Sequence, residues 1–244
     1  AEVCRDNARY QQEYTRGKPK YQVKKTGACR QTGTTIVFEP DPEVFKEIKF
    51  DENRILQHLR QQAYLTPGVK LTFIDARGKD PETYTFYFEG GLTSYVKYLT
   101  QGMTPKHENI FYVKGEKEEV VVEVALRYTE EFEMYEEGFA NNIHNSEGGT
   151  HLTGFRTALT RMLNEYAKKS NFLKGDESLT GDDVREGMTA VVSVKIKEPQ
   201  FEGQTKAKLG NPEAKSIVEA VVAEALADFF DLDPRAKVAT LSMG

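Results

Sequence analysis

Gln204-Thr205-Lys206-Ala207-Lys208 places a side-chain amide and two ammonium groups in one short polar stretch, directly after Phe201-Glu202-Gly203. A lysine on a mobile loop reaches a phosphate as a point charge, and a glutamine can donate to the same oxygens. A solvated loop with no ligand has the same composition. Glu147-Gly148-Gly149-Thr150 leads into a helix, whose free N–H groups could hold a phosphate. Equally, the glycines make a turn and Thr150 caps the helix. No Walker-type spacing occurs here or elsewhere. Arg156 and Arg161 lie on the same helix, and Arg156 directly follows the apolar Phe155, so it projects off the core face. The two arginines form either a solvated face or a basic edge toward DNA, which needs backbone charge neutralisation and no base readout.

The histidines are His58, His107, His144 and His151, and none is paired with Cys, Asp or Glu at metal-ligand spacing. No metal site is expected, and all four read as structural. His151 sits where a loop enters a helix, placed to hydrogen-bond locally.

Composition sets the class. The 244 residues fit one large domain, or one domain with part of a second. An apolar share of 39% supports a core, and no window is apolar over the ~18 residues that a membrane span needs. A net charge of −5 is not the basic balance of a dedicated nucleic-acid-binding domain, yet it leaves room for a local basic patch. Cys4 and Cys29 lack metal spacing. With no secretory signal at the start, the reading is a cytoplasmic protein without a disulfide framework.

These side chains need elements to position them. The chain starts directly in strand-like sequence. Residues 10–15 and 21–24 read as strands around an Arg16-Gly17-Lys18-Pro19 turn, and residues 34–38 as a β-branched strand stopped by Glu39-Pro40-Asp41-Pro42. Nothing in the sequence covers these strands, so the chain is expected to begin inside a domain. A helix capped by Asp51 follows, with Phe50 and Ile55 as a staple, and then a hairpin of residues 69–75 and 83–88. Leu92, Tyr95, Val96 and Leu99 have helical spacing, and residues 110–113, 120–128 and 132–136 read as strands. Residues 141–150 form a polar loop. Leu152, Phe155, Leu159, Met162, Leu163 and Tyr166 then stripe the clearest helix. A capped turn at Thr180, a buried strand over 188–196 and an unstructured loop over 198–209 come next. A last helix carries Asn211 as its cap, Pro212 as its first residue, and a stripe of Ile217, Val218, Val221, Val222, Leu226 and Phe229. The sum is a two-layer α/β body.

Three long motifs carry a resemblance. They are Phe139-Ala140-Asn141-Asn142-Ile143 continuing through Glu147-Gly148-Gly149-Thr150-His151-Leu152-Thr153-Gly154-Phe155-Arg156, then Gly181-Asp182-Asp183-Val184-Arg185-Glu186-Gly187, and Pro199-Gln200-Phe201-Glu202-Gly203-Gln204-Thr205-Lys206. Together with Thr32-Gly33-Thr34-Thr35-Ile36, and in this order, they resemble the B subunits of bacterial type II DNA topoisomerases, DNA gyrase and topoisomerase IV. The resemblance covers the chain up to about Asp233; the tail Leu241-Ser242-Met243-Gly244 departs from it. It implies a fold in two parts. Residues 1–45 would be the last antiparallel strands of a truncated GHKL (Bergerat) ATPase domain. Residues 46–244 would be the transducer domain, resembling domain 2 of ribosomal protein S5, with a long C-terminal helix.

It also implies roles. Lys206 and Gln204 match the transducer residues that contact the γ-phosphate and carry the catalytic contribution, while Thr34 matches a threonine beside the nucleotide and its attacking water, and Gly33 a nucleotide-binding position. Arg156 matches a position facing the cavity through which DNA passes. The family uses ATP and Mg²⁺, but its acidic general base, Mg²⁺-holding Asn, adenine-contacting Asp and glycine-rich lid have no motif in this sequence. No cofactor is therefore expected on this chain alone. The implied partners are DNA, the gyrase A subunit and a second copy of the B chain on ATP binding, with no membrane. The implied mechanism is a loop ordered by the γ-phosphate, coupled to rigid-body rotation of the transducer. The alternatives are the B chain of a topoisomerase IV, or an inert structural module.

Overall fold

The computed structural model describes residues 1–232. The Leu241–Gly244 departure noted above lies outside the described residues. Two compact units emerge, Ala1–Glu52 and Asn53 onward.

In the first unit, β1 (Glu2–Arg5) and β2 (Ala8–Gln11) form a hairpin. Asp6 and Asn7 between them both have positive φ, as a two-residue I′ turn requires. β3 (Tyr14–Thr15) pairs with β4 (Lys18–Pro19). β5 (Lys24–Ala28) and β6 (Gly33–Thr35) complete an antiparallel sheet in the order β5-β2-β1-β6. Three readings differ from expectation. The strand sought at 10–15 is divided between β2 and β3, and the turn after it contains β4. The strand sought at 21–24 begins at Lys24. The strand sought over 34–38 stops at Thr35, because Thr35 already lies opposite Glu2 and the ladder runs out of partner. Ile36, Val37 and Phe38 are exposed instead.

The second unit is built on one mixed sheet. After α1 (Glu52–Leu65), a hairpin of β7 (Leu71–Asp75) and β8 (Glu82–Phe86) leads to α2 (Gly91–Leu99). β9 (Phe111–Lys117) and β10 (Val120–Tyr128) form a long hairpin, followed by β11 (Tyr135–Ala140) and β12 (Ile143–His144). α3 (Thr150–Lys169), α4 (Gly181–Arg185), β13 (Met188–Lys195) and α5 (Pro212–Leu232) follow. The sheet order is β12-β11-β13-β10-β9, antiparallel except where β11 runs parallel to β13. Among the described residues no helix is long and apolar enough to cross a membrane.

Alternation along the strands sorts the core. Val122, Val124 and Leu126 join Ala190, Val192 and Val194 against the apolar stripes of α3 and α5. Ala125, Val191 and Phe139 point the other way, into a smaller cluster with Leu92, Tyr95 and Val96 of α2 and the last turn of α1. All six stripe residues expected on α3 are buried, so periodicity located that helix correctly. α4 carries the reciprocal capping box of Thr180 and Asp183.

The strand expected at 132–136 is displaced. Phe132 and Met134 alternate like strand residues but are exposed, and pairing begins only where Tyr135 meets Thr189. The stretch 141–150, read as loop alone, contains β12. Asn141 and Asn142 both take positive φ to make that two-residue turn. Asn141 is then fixed by a reciprocal pair of bonds, donating to the Ile196 carbonyl at 2.8 Å and accepting the Ile196 N–H at 2.9 Å.

Candidate functional site

The stretch expected to be an unstructured loop between β13 and α5 contains no strand, yet its backbone is braced throughout. Gly210 N–H donates to the Gln200 carbonyl at 2.8 Å and Glu202 N–H to the Lys208 carbonyl at 2.9 Å. These bonds make a narrow hairpin-like finger, closed at its tip by Lys206 N–H to the Gly203 carbonyl at 3.2 Å. Lys206 takes φ +57°, the left-handed conformation that lets a non-glycine residue end this turn. Gln204, Thr205 and Lys206 at the tip are exposed. Asn211 occupies the expected N-cap position, but its side chain serves the finger. It accepts the Gln200 N–H at 2.6 Å and donates to the Glu198 carbonyl at 3.1 Å.

A second set of bonds docks the finger on the segment before α3. Glu147 N–H donates to the Ala207 carbonyl at 2.9 Å, Leu209 N–H to the Gly148 carbonyl at 3.1 Å, and Thr150 N–H to the Leu209 carbonyl at 3.0 Å. The buried Asn145 amide donates to the carbonyl of Lys206 itself at 2.8 Å, while Asn145 N–H reaches back to Gly138 of β11 at 2.8 Å. The phosphate-contacting candidates thus sit on a rigid mount joined to both α3 and the central sheet.

The tip has a distinct charge arrangement. Lys208 is paired with Glu202 at 3.1 Å. Lys206 has no ion-pair partner among the described residues, and its ammonium lies 5.8 Å from the Phe201 ring centroid. An exposed cation held over an aromatic face, with no carboxylate to satisfy it, is suited to meet an anion.

Thr150 does not cap α3. Gly149 occupies the N-cap at φ +141°, and the Thr150 hydroxyl is buried without a partner among the described residues. The reason is the backbone contact with Leu209, which fixes this junction before any side chain can. Nor does His151 bond locally: it is fully buried, and neither ring nitrogen has a partner among the described residues. Its ring packs where a Cβ at Gly138 would stand, 2.4 Å from Nε2. Burial alone depresses its pKa to about 4. The folded protein therefore binds fewer protons than the unfolded chain between pH 6.5 and about 4, and stability falls as pH falls through that window. The total loss is about 3 kcal/mol, of which about 2 kcal/mol is gone by about pH 5. His151→Leu is expected to remove that component, as urea midpoints at about pH 7.5 and about pH 5 would report. Parallel acid sensitivity in parent and variant would show that His151 titrates freely.

Arg156 does leave the core face, but it is not free. Its guanidinium pairs with Glu136 of β11 through two N–H groups, the longer bond being 3.2 Å. The Glu136 side chain is 7% exposed and that of Arg156 42%. Burial, together with the neighbouring Arg185, holds the Arg156 pKa below its usual value. Gly33 and Thr34 belong to the other unit, on edge strand β6, opposite Cys4 and Val3. They line an open cleft of about 820 Å³ with Glu2, Cys4, Arg9 and Cys29. Among the described residues no group of three His, Cys, Asp or Glu could hold a metal ion.

Sequence reasoning did not find Asn145, Gly149 or Asn211 as the parts that hold the finger. The signal present was the Gly-Gly pair, which marks a close backbone approach as readily as a turn.

A family model described as DNA gyrase B matches residues 91–241. Relatives named as the B chain of DNA gyrase include that of Thermotoga maritima, 46% identical over 239 residues, covering 95% of this chain and 37% of the relative. That of Bacillus cereus is 46% identical over 241 residues, covering 95% of this chain and 58% of the relative. The chain thus spans roughly a fifth to three-fifths of the length of these and similar relatives. The 43K ATPase domain of Thermus thermophilus gyrase B, solved in complex with an aminocoumarin, superposes with a TM-score of 0.84 at 39% identity, covering 99% of this chain and 66% of that one. The topoisomerase IV ATP-binding domain of Francisella tularensis, solved with a small-molecule inhibitor, gives 0.83 at 24% identity over 99% of this chain and 66% of that one, a likeness of fold.

Proposed function

The chain belongs to the DNA gyrase B family, and from that premise we propose that it is the ATP-signalling part of the B subunit of a cytoplasmic, ATP-dependent type II topoisomerase. In the full subunit, ATP binding closes two B subunits around a DNA segment, and with the A subunit the enzyme introduces negative supercoils by double-strand passage. Residues 1–45 are the last strands of the GHKL domain, and residues 46–244 the transducer.

The observation that carries this reading is the braced tip that displays Lys206 unpaired while Lys208 is neutralised. Lys206 contacts the γ-phosphate and stabilises charge on the transferring phosphoryl group, with the Gln204 amide donating to the same oxygens. The family motif puts Gly33 and Thr34 among the nucleotide-binding positions as well. Because Asn145 and Gly149 lock the finger to α3 and β11, a pull on Lys206 is delivered to the sheet without a folding step in between. The finger acts as a lever in a rigid-body motion. The full subunit uses Mg²⁺ with ATP, and no step is assigned to the ion.

Arg156 faces the DNA passage, held in reserve by Glu136. Glu136→Gln would free the guanidinium, raise DNA affinity severalfold and steepen the salt slope by about one unit. Unchanged affinity and slope would place Arg156 away from DNA.

Two assays test the reading. Mixed with ATP and Mg²⁺, this 244-residue chain is expected to show no binding heat in titration calorimetry, and tight binding would overturn the placement of the site. The full subunit with its A partner is expected to supercoil relaxed circular DNA when ATP is added. ATP-dependent decatenation and relaxation without supercoiling would assign it to topoisomerase IV.

A further inference from the structure

The displaced strand leaves a surface that the ATP signal does not use. Residues 129–134 connect β10 to β11 and are fixed by backbone bonds on both sides. Glu130 N–H donates to the Thr104 carbonyl at 2.9 Å, and Gly187 N–H to the Phe132 carbonyl at 3.4 Å. The Thr104 N–H in turn donates to the Glu131 carboxylate at 3.2 Å. Gly187 allows this approach at φ +67°, since a Cβ there would stand 2.6 Å from the Thr129 carbonyl oxygen and 2.7 Å from that of Glu131. On this fixed backbone Phe132 is 81% exposed, with Met134 and the nearby Met103 also exposed.

A large aromatic held out on a pre-ordered loop loses little entropy when a partner covers it, and such residues dominate binding energy. The rim fixes the sign of the partner. Glu130, Glu131 and Glu133 surround Phe132 in sequence, and hydrogen bonds from the backbone and Thr129 hold the Glu131 carboxyl below its ordinary range, so it stays ionised. That field repels nucleic acid and attracts a basic segment.

We propose that the Phe132 loop is a docking surface for a segment of the partner subunit that carries lysine or arginine beside an apolar residue. The partner's identity rests on the topoisomerase reading above. The contact would join the end of the sheet opposite the β9–β10 turn to that subunit.

The test places a benzophenone amino acid at position 132 of the full-length subunit, assembled with its A partner on circular DNA. Crosslinked peptides are then mapped by mass spectrometry. The expected product is a partner-subunit peptide bearing basic residues, formed roughly tenfold less in a Glu130→Lys, Glu133→Lys variant, as loss of charge complementarity at a hot spot predicts. Crosslinks to DNA, to the subunit's own chain or to a second copy of it, or no crosslink, would overturn the proposal. Supercoiling by the same preparation separates the two claims. An assembly that supercoils without the expected crosslink overturns the docking surface alone, and one that does not supercoil overturns the reading beneath it.

Discussion

Lys206→Ala in the full-length subunit is expected to lower ATP turnover by about 100- to 1000-fold, the usual effect of removing one preorganised charge from a transition state. ATP affinity should change by less than about tenfold, because the lysine acts on charge that develops during transfer. The geometry makes the substitution informative. Among the described residues Lys206 has no carboxylate partner to orphan, its side chain is exposed, and its backbone is held by Asn145 and Gly203 whatever the side chain. Folding should therefore be untouched, and a fall in turnover would report chemistry. Lys208→Ala is the paired control, since its ammonium is engaged by Glu202. If both variants turned over ATP at the parent rate, the finger would have no part in hydrolysis.

Gly149→Ala is expected to cost roughly 3–5 kcal/mol, from backbone strain at positive φ and the loss of two backbone hydrogen bonds. The added Cβ would stand 2.4 Å from the Leu209 carbonyl oxygen and 2.6 Å from its N–H nitrogen, both backbone atoms that cannot rotate away. The bridge between Gly149 and Leu209 must open, freeing the base of the finger. Amide exchange at Thr150 and Leu209 should accelerate, and ATP turnover should fall although Lys206 is intact. Gly203 supplies the contrast. It also has positive φ, but nothing lies within 4 Å of its Cβ position, so Gly203→Ala should cost only about 1 kcal/mol. Equal losses for the two glycines would mean that conformation alone, and not the docking, explains Gly149.

Local signals read well where one element decides its own structure. The α3 stripe, the apolar run of β10 and the Thr180 cap all depend on residues near one another in sequence, and each stands where expected. The misreadings share a different cause. Thr150 is a good cap by type, but the junction is fixed by Leu209, far along the chain, whose position no periodicity encodes. Phe132 and Met134 alternate as strand residues do, yet the parallel partner on β13 begins opposite Tyr135. The finger is the sharpest case. By composition Lys206 and Lys208 are equivalent, and only the fold shows that Glu202 reaches one of them and that Asn145 holds the backbone of the other. The motifs named the family, whereas the division of labour within them needed the geometry.

The central claim is that the tip carrying Gln204 and Lys206 reads the γ-phosphate. Hydrogen–deuterium exchange of peptides covering residues 202–208, in the full-length subunit, measures this directly. With a non-hydrolysable ATP analogue these amides should exchange at least about tenfold more slowly than with ADP, since a ligand that favours one state lowers local opening by its differential affinity. Equal exchange with the two nucleotides would contradict the account.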